Sequence, residues 1–309
     1  SIPNAMPRSP AQLHDQRSAR PSSNRVTRHH LVQGKVRMND FAADEADTIV
    51  LVHGLWVNPR SWEGWKHHYE ARGYRVLTPA WPGLDREVEE LRRDPAGIAG
   101  VGLREVVDHY QNIIRALGRP PIIMGHSFGG TVVQILLDRG LGSVGVAIDS
   151  AAVKGVLPLP LSTLKSTWPV LGNPANKNKA VSLTPEQFHY AVTNTLTESQ
   201  SAARYERYAV PGSARVLFQG AFANFNPRAA TRVDFRQRRA PLLFIAGQAD
   251  HIVPPKVNKA NWRLSRKSAA VTDYREFPGR SHFIIGQDGW QEVADYALNW
   301  AEEHAPAGV

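Results

Sequence analysis

A doubly wound α/β sheet is the fold this sequence predicts. Short apolar runs rich in β-branched residues recur along the chain, and stretches of helical period separate most of them. The first clear run, TIVLV at 48–52, has no polar alternation, which is the pattern of a strand buried on both faces. RVLTPA (75–80), PIIM (121–124), VGVAID (144–149) and PLLFIA (241–246) follow it, and a weaker strand, AVTDYREF, covers 270–277. Helical patterning fills 61–72, 102–117 and 129–139 between them, and an amphipathic helix closes the chain at 290–303.

Two regions depart from this alternation. Residues 1–24 are rich in Pro, Ser, Arg and Asn and show no period, so they are expected to form a disordered or loosely docked arm. After it, 26–41 holds two strand-like runs around Gln33-Gly34, a weak hairpin signal. The second region lies between Asp149 and Pro241, where no convincing buried strand occurs. Its pattern is helical over 185–195, 198–209 and 213–223. Thr184-Pro185-Glu186-Gln187 supplies an N-cap, a proline at the first helical position and the glutamine of a capping box. An insertion this long in a compact fold is usually functional. Residues 151–230 are therefore expected to form a helical cap, with 25–150 and 231–309 as the core.

Composition narrows the function classes. The 309 residues are 42% apolar and 21% charged, as in a globular protein, and none is cysteine, so disulfides and thiolate chemistry are excluded. The net charge is +9, but residues 1–40 hold seven basic side chains against two acids. The body has no dense basic run with interleaved aromatics, so nucleic acid is not the expected partner. No secretory signal pattern or apolar run long enough to span a membrane is present, which sets a cytoplasmic protein without a membrane span as the expectation.

The chemistry concentrates in PIIMGHSFGGTVV (121–133). A buried strand runs into a helix through Gly125-His126-Ser127-Phe128-Gly129, the pattern G-x-S-x-G. A turn this tight lifts a serine hydroxyl clear of the sheet and aims the free N–H groups of the helix at developing negative charge. Serine needs a base, and His282 in FPGRSHFIIG follows the last strand on a loop returning to the sheet's C-terminal edge. Position eliminates most of the others: His14, His29 and His30 lie in or beside the arm, His67, His68 and His109 in helices before Ser127, and His126 beside Ser127 itself. Asp250 in AGQADHIVPP follows PLLFI directly and can orient His282, while Asp149, which also ends a strand, is the rival acid. Oxyanion donors are expected from the N–H of Phe128 and from His53-Gly54-Leu55-Trp56, with Leu55 the first choice and Trp56 the fallback. His53 is read as a structural hydrogen-bonder.

The segments LVHGLW, MGHSFGG, GQADHIVPP and GRSHF, in this order, resemble the α/β-hydrolase superfamily over about residues 26–305. The resemblance implies an eight-stranded, mostly parallel sheet whose first two strands are the 26–41 hairpin. It also implies a helical cap inserted after the sixth strand and a Ser127–Asp250–His282 triad. Superfamily members with an aspartate nucleophile differ at Ser127. The reading is a cofactor-free serine hydrolase cleaving a carboxylic ester or lactone through an acyl-enzyme. The alternatives are a carbon–carbon bond hydrolase, perhydrolase or lyase on the same triad, or a non-catalytic receptor on the same fold. The expected partner is a small, partly apolar acyl substrate. Trp56, Trp81, Ile252 and Phe283 from the core and Trp168, Phe188, Phe222 and Phe225 from the cap are the expected pocket lining.

Overall fold

The computed structural model describes residues 47–237 and 240–305. Six strands form one parallel sheet: β1 (Thr48–Val52), β2 (Arg75–Leu77), β3 (Ile122–His126), β4 (Val144–Ile148), β7 (Leu242–Gly247) and β8 (Thr272–Phe277), in the order β2-β1-β3-β4-β7-β8. The hairpin and arm expected within 1–41 lie outside the described residues. Every residue of β3, β4 and β7 is buried, as their continuous apolar runs require, whereas β8 alternates because it is an edge strand. β2 is shorter than its apolar run, stopping before Thr78-Pro79, since proline cannot donate to the ladder.

Helices cover both faces of the sheet: α1 (Glu63–Glu70), α2 (Val88–Arg93), α3 (Leu103–Arg115), α4 (Phe128–Asp138), and, after the insertion, α9 (Pro255–Ser265) and α10 (Trp290–His304). The 149–241 segment carries α5 (Leu161–Leu171), α6 (Pro185–Ala191), α7 (Glu198–Tyr208) and α8 (Ala214–Ala221), with a two-residue antiparallel pair, β5 (Ala180–Val181) and β6 (Gly212–Ser213). Thr184 forms the expected capping box with Gln187, and Thr197 forms a second with Gln200. Sequence periodicity did not mark α2, α5 or α9. In α5 the reason is physical: Pro169 sits inside it, and Ser166 and Thr167 face inward while leucines face outward.

Winding direction reverses between β1 and β3. The chain steps to β2 on one side and then returns to build β3, β4, β7 and β8 on the other. Crevices open beyond the C-terminal ends of strands at such a point, and the residues there are His53-Gly54-Leu55 after β1 and Ser127 after β3. The junction is close: a Cβ on Gly129 would lie 2.1 Å from the Val52 carbonyl oxygen. Gly129→Ala should therefore destabilise the fold by about 3 kcal/mol, because backbone must shift to admit the methyl. Urea unfolding measures this, and a loss under about 1 kcal/mol would show that β1 and α4 are not locked together.

Candidate active site

Ser127 begins α4 with φ 58° and ψ −123°. This left-handed conformation is disfavoured for a residue bearing a Cβ, at on the order of 1–3 kcal/mol. Neighbouring backbone holds it. The Ser127 N–H donates to Ile148 O at 2.9 Å, and its carbonyl accepts from Ala151 N at 3.0 Å, so both sides of the residue are tied to the end of β4. That end is fixed in turn by α9. Asn258 Oδ1 accepts from Ser150 N at 2.9 Å and Asn261 Nδ2 donates to Ser150 O at 3.1 Å, both asparagines being fully buried. These two supports were not anticipated. Their signal is a pair of polar residues three apart on an otherwise unremarkable helix.

His282 Nδ1 meets Asp250 Oδ2 at 2.6 Å, and both residues are buried. Asp250 Oδ1 accepts from the N–H groups of Ile252 and Val253 at 2.7 and 2.9 Å, an arrangement that the turn before Pro254-Pro255 imposes. A carboxylate so held keeps the proton of His282 on Nδ1 and leaves Nε2 free to accept one. The ring of His126 lies 4.6 Å from that of His282, and its Nε2 donates to the His282 carbonyl at 2.7 Å. Burial, and then the proximity of His282, push His126 well below the usual histidine range, so it stays neutral. His126 thus ties the turn that carries Ser127 to the backbone of His282.

The loop after β1 completes the group. A Cβ on Gly54 would lie 2.7 Å from the Cβ of Ser127, so His53-Gly54-Leu55 passes directly against the serine. His53 fixes that loop: Nδ1–H donates to Gly54 O at 2.9 Å and Nε2 accepts from Trp81 N at 3.1 Å, while its ring stacks on Trp81. Burial lowers it to about 4, which leaves the neutral tautomer those two bonds require. The N–H groups of Leu55 and Phe128 take no protein partner among the described residues.

Asp149 sits behind the pair. It leaves β4 at φ 43°, is fully buried, and its Oδ1 accepts from Gly247 N at 2.7 Å. Its Oδ2 meets no donor; its side-chain neighbour is the Asp250 carboxylate. Two carboxyl oxygens share a hydrogen bond only if one carries a proton. Burial, and then the charge of Asp250, raise Asp149 well above the usual carboxylate range, so the proton is on Asp149. His126, Asp149 and His282 bring ligating atoms within 4.8 Å of one another, the one such grouping among the described residues. Each already has a protein hydrogen-bond partner.

The expected pocket residues divide. Trp56, Trp81, Ile252 and Phe283 are buried at the strand ends. Phe188 is buried inside the insertion, edge-on to Tyr205, and borders a small cavity with Trp56 and Leu183. Trp168, Phe222 and Phe225 stand exposed on the outer surface, so the structure does not bring them together with Ser127. Trp168 lies on α5 opposite the buried Ser166, Thr167 and Val170, and Phe222 and Phe225 follow the end of α8, an orientation that sequence spacing alone does not reveal. The insertion nevertheless closes over the site. The Phe128 ring lies against Gly220 and Leu55 against Gly212, and Val192 O accepts from Phe283 N at 2.9 Å. Ser127 itself is buried. A cavity of about 720 Å³ lies elsewhere, beside the end of β2, where Arg60 and Glu87 pair across its rim.

The proton on Asp149 has a measurable sign. In the unfolded chain an aspartate loses its proton above about pH 4, whereas folded Asp149 keeps it. The folded state thus holds one more proton, and its stability falls as pH rises from that value towards the folded one. Asp149→Asn places an amide donor where the proton was. Its melting temperature should gain on the wild type as pH rises from about 5 to 8. Parallel curves would mean that Asp149 is ionised in the fold.

Comparison with known proteins places this geometry. No curated protein matches the sequence. Solved structures match along most of the chain. A monoacylglycerol lipase from Paleococcus ferrophilus is 23% identical, covering 84% of this chain and 95% of its own, with a TM-score of 0.58. The putative non-heme bromoperoxidase BpoC from Mycobacterium tuberculosis H37Rv is 17% identical, covering 84% and 94%, with a TM-score of 0.62. A polyneuridine aldehyde esterase is 18% identical, covering 83% and 100%, with a TM-score of 0.55. These likenesses are of fold. The model of the alpha/beta hydrolase family matches residues 49–296, spanning every strand of the sheet and every residue of the site. The chain belongs to the alpha/beta hydrolase family.

Proposed function

We propose that this hydrolase cleaves carboxylic esters or lactones, with Ser127 as nucleophile, His282 as general base and Asp250 as its orienting acid. The observation that carries the reading is the buried 2.6 Å His282–Asp250 bond beside a serine held in a left-handed turn. Lipase and esterase structures among the similar folds are consistent with it.

His282 Nε2 takes the Ser127 hydroxyl proton as Oγ attacks the acyl carbonyl. The carbonyl π electrons move to oxygen, and the Leu55 and Phe128 N–H groups receive that charge. When the tetrahedral adduct collapses, the bond to the leaving oxygen breaks and His282 returns the proton to it. Water then attacks the acyl-enzyme, with His282 again taking a proton, and Ser127 leaves with the proton restored. Asp250 stabilises the imidazolium through Nδ1–H without taking its proton. In this reading residues 151–230 are a cap that shields the acyl-enzyme from bulk water, and its links to the Asp250 and His282 loops make it part of the site's support. Two such links are the 2.8 Å bond from His251 Nδ1 to Tyr190 O and the 2.9 Å bond from Asn194 Nδ2 to Ala249 O.

Aryl-ester turnover tests the roles. Ser127→Ala and His282→Ala should each fold and lose about 10⁶ in kcat, because the three residues act as a unit. Asp250→Asn should lose about 10⁴, by presenting the wrong tautomer of His282. Asp149→Asn should stay within about tenfold, since it retains a donor to Asp250. A larger loss for Asp149→Asn than for Asp250→Asn would move the orienting acid to the end of β4.

A further inference from the structure

The insertion carries an outward-facing apolar surface that neither the fold nor the proposed chemistry uses. Leu157 is 79% exposed, Leu159 64% and Leu161 84%. In this LPLPL run the leucines face out, while Pro160 is buried and Pro158 half-buried. Along α5 the stripe continues through Leu164 to Trp168, which is 68% exposed, positions that share one helical face. The inward face holds Ser166 and Thr167 beside Val170. A surface helix ordinarily turns its larger apolar residues inward, whereas here the exposed face carries Leu161, Leu164 and Trp168. Phe222 and Phe225, 54% and 85% exposed, extend the surface. They are adjacent in space: Gly155 N donates to Asn224 Oδ1 at 2.7 Å, and Asn224 Nδ2 donates to Val156 O at 2.9 Å. Only one further exposed large apolar residue, Val271, lies outside these two segments among the described residues. Scattered single leucines need no explanation, but a cluster of this kind marks an interaction surface.

Charge says what the partner is. From Ser150 to Pro185 and from Arg207 to Val233 the chain contains no carboxylate. The same segments carry Lys154, Lys165, Lys177, Lys179, Arg207, Arg215, Arg228 and Arg232, of which Arg207 and Arg215 pair with Glu63 and Glu105 of the core. Lys165 is exposed on α5 between Leu164 and Trp168, with its ammonium 3.9 Å from the centre of the Tyr190 ring, and Lys154 Nζ reaches the Ala223 and Asn226 carbonyls beside Phe225. A second copy meeting this face would set cation against cation. A nucleic acid would leave the leucines in water. Leucine, tryptophan and phenylalanine beside Lys154 and Lys165, on segments that themselves carry no acid, match the boundary between acyl chains and anionic headgroups. We propose that this face of the insertion docks the protein peripherally on an anionic lipid bilayer. No described helix is long and apolar enough to cross a membrane, so the contact is with the surface. α5 is bonded to the loop of the Asp250–His282 pair through Thr163 Oγ1 and Ile252 O at 2.7 Å. Docking thus sets that loop about one helix diameter, ~10 Å, behind the lipid. The proposal is independent of the reaction that Ser127 performs.

Co-sedimentation of the full chain with vesicles tests it, comparing phosphatidylcholine alone with phosphatidylcholine mixed with phosphatidylglycerol. The wild type should sediment with the mixed vesicles at low salt and be released by salt, with Trp fluorescence shifting to the blue on binding. Leu161→Ser, Trp168→Ser and Phe225→Ser combined should weaken partitioning by at least about tenfold, since each removes apolar area from the lipid contact. All three positions are exposed, so the melting temperature should hold, and every charge remains, including those of the N-terminal residues. Wild type left in the supernatant with the mixed vesicles would overturn the proposal, as would a triple variant that sediments equally well. Sedimentation velocity showing a wild-type dimer that the triple variant dissolves would assign the face to a second copy, and would overturn it too.

Discussion

The backbone of Ser127 is the constraint on which the C-terminal edge of the sheet depends. A left-handed serine persists only where its surroundings over-determine it. Here β1 meets Gly129 from one side, and β4 holds the Ser127 N–H and carbonyl from the other. The buried asparagines of α9 then hold the end of β4. Strand, turn and helix therefore cannot relax separately. The strain has a functional consequence in the proposed mechanism, because it sets the serine at the mouth of the crevice where the sheet reverses its winding.

Burial sets the protonation states around that serine. His53 and His126 are neutral because charged imidazoles would lose their hydration, and their bonds to Trp81, Gly54 and His282 fix which nitrogen carries the proton. Asp149 and Asp250 show the same principle in a pair of acids. Two backbone N–H groups and His282 stabilise negative charge on Asp250, whereas Asp149 has one N–H and a carboxylate neighbour. The proton settles on Asp149. Asp250, with its two backbone N–H donors, is thus the one of the pair that faces His282.

Much of this was legible in the sequence, for identifiable reasons. Buried parallel strands write themselves as continuous apolar runs, so β1, β3, β4 and β7 were readable within a residue or two. The strand–turn–helix context made Ser127 readable, and strand-end positions made Asp250, Asp149 and His282 readable. The orientation of the insertion was not legible. Sequence reveals that Trp168, Phe222 and Phe225 are large and apolar but not which way their helices turn, and α5 reverses the usual preference by burying Ser166 and Thr167. The support by Asn258 and Asn261 was hidden as well, because asparagine on a helix ordinarily signals a solvated face. The partners of both asparagines lie more than 100 residues away in sequence, which local pattern does not encode.

The most direct measurement of the central claim is the site of covalent capture by a fluorophosphonate, located by mass spectrometry of the digested protein. A single adduct on Ser127, whose formation is lost in His282→Ala, is the predicted result. No adduct in the folded wild type, an adduct on another serine, or labelling of His282→Ala at the wild-type rate would contradict the assignment of Ser127 as a nucleophile activated by His282.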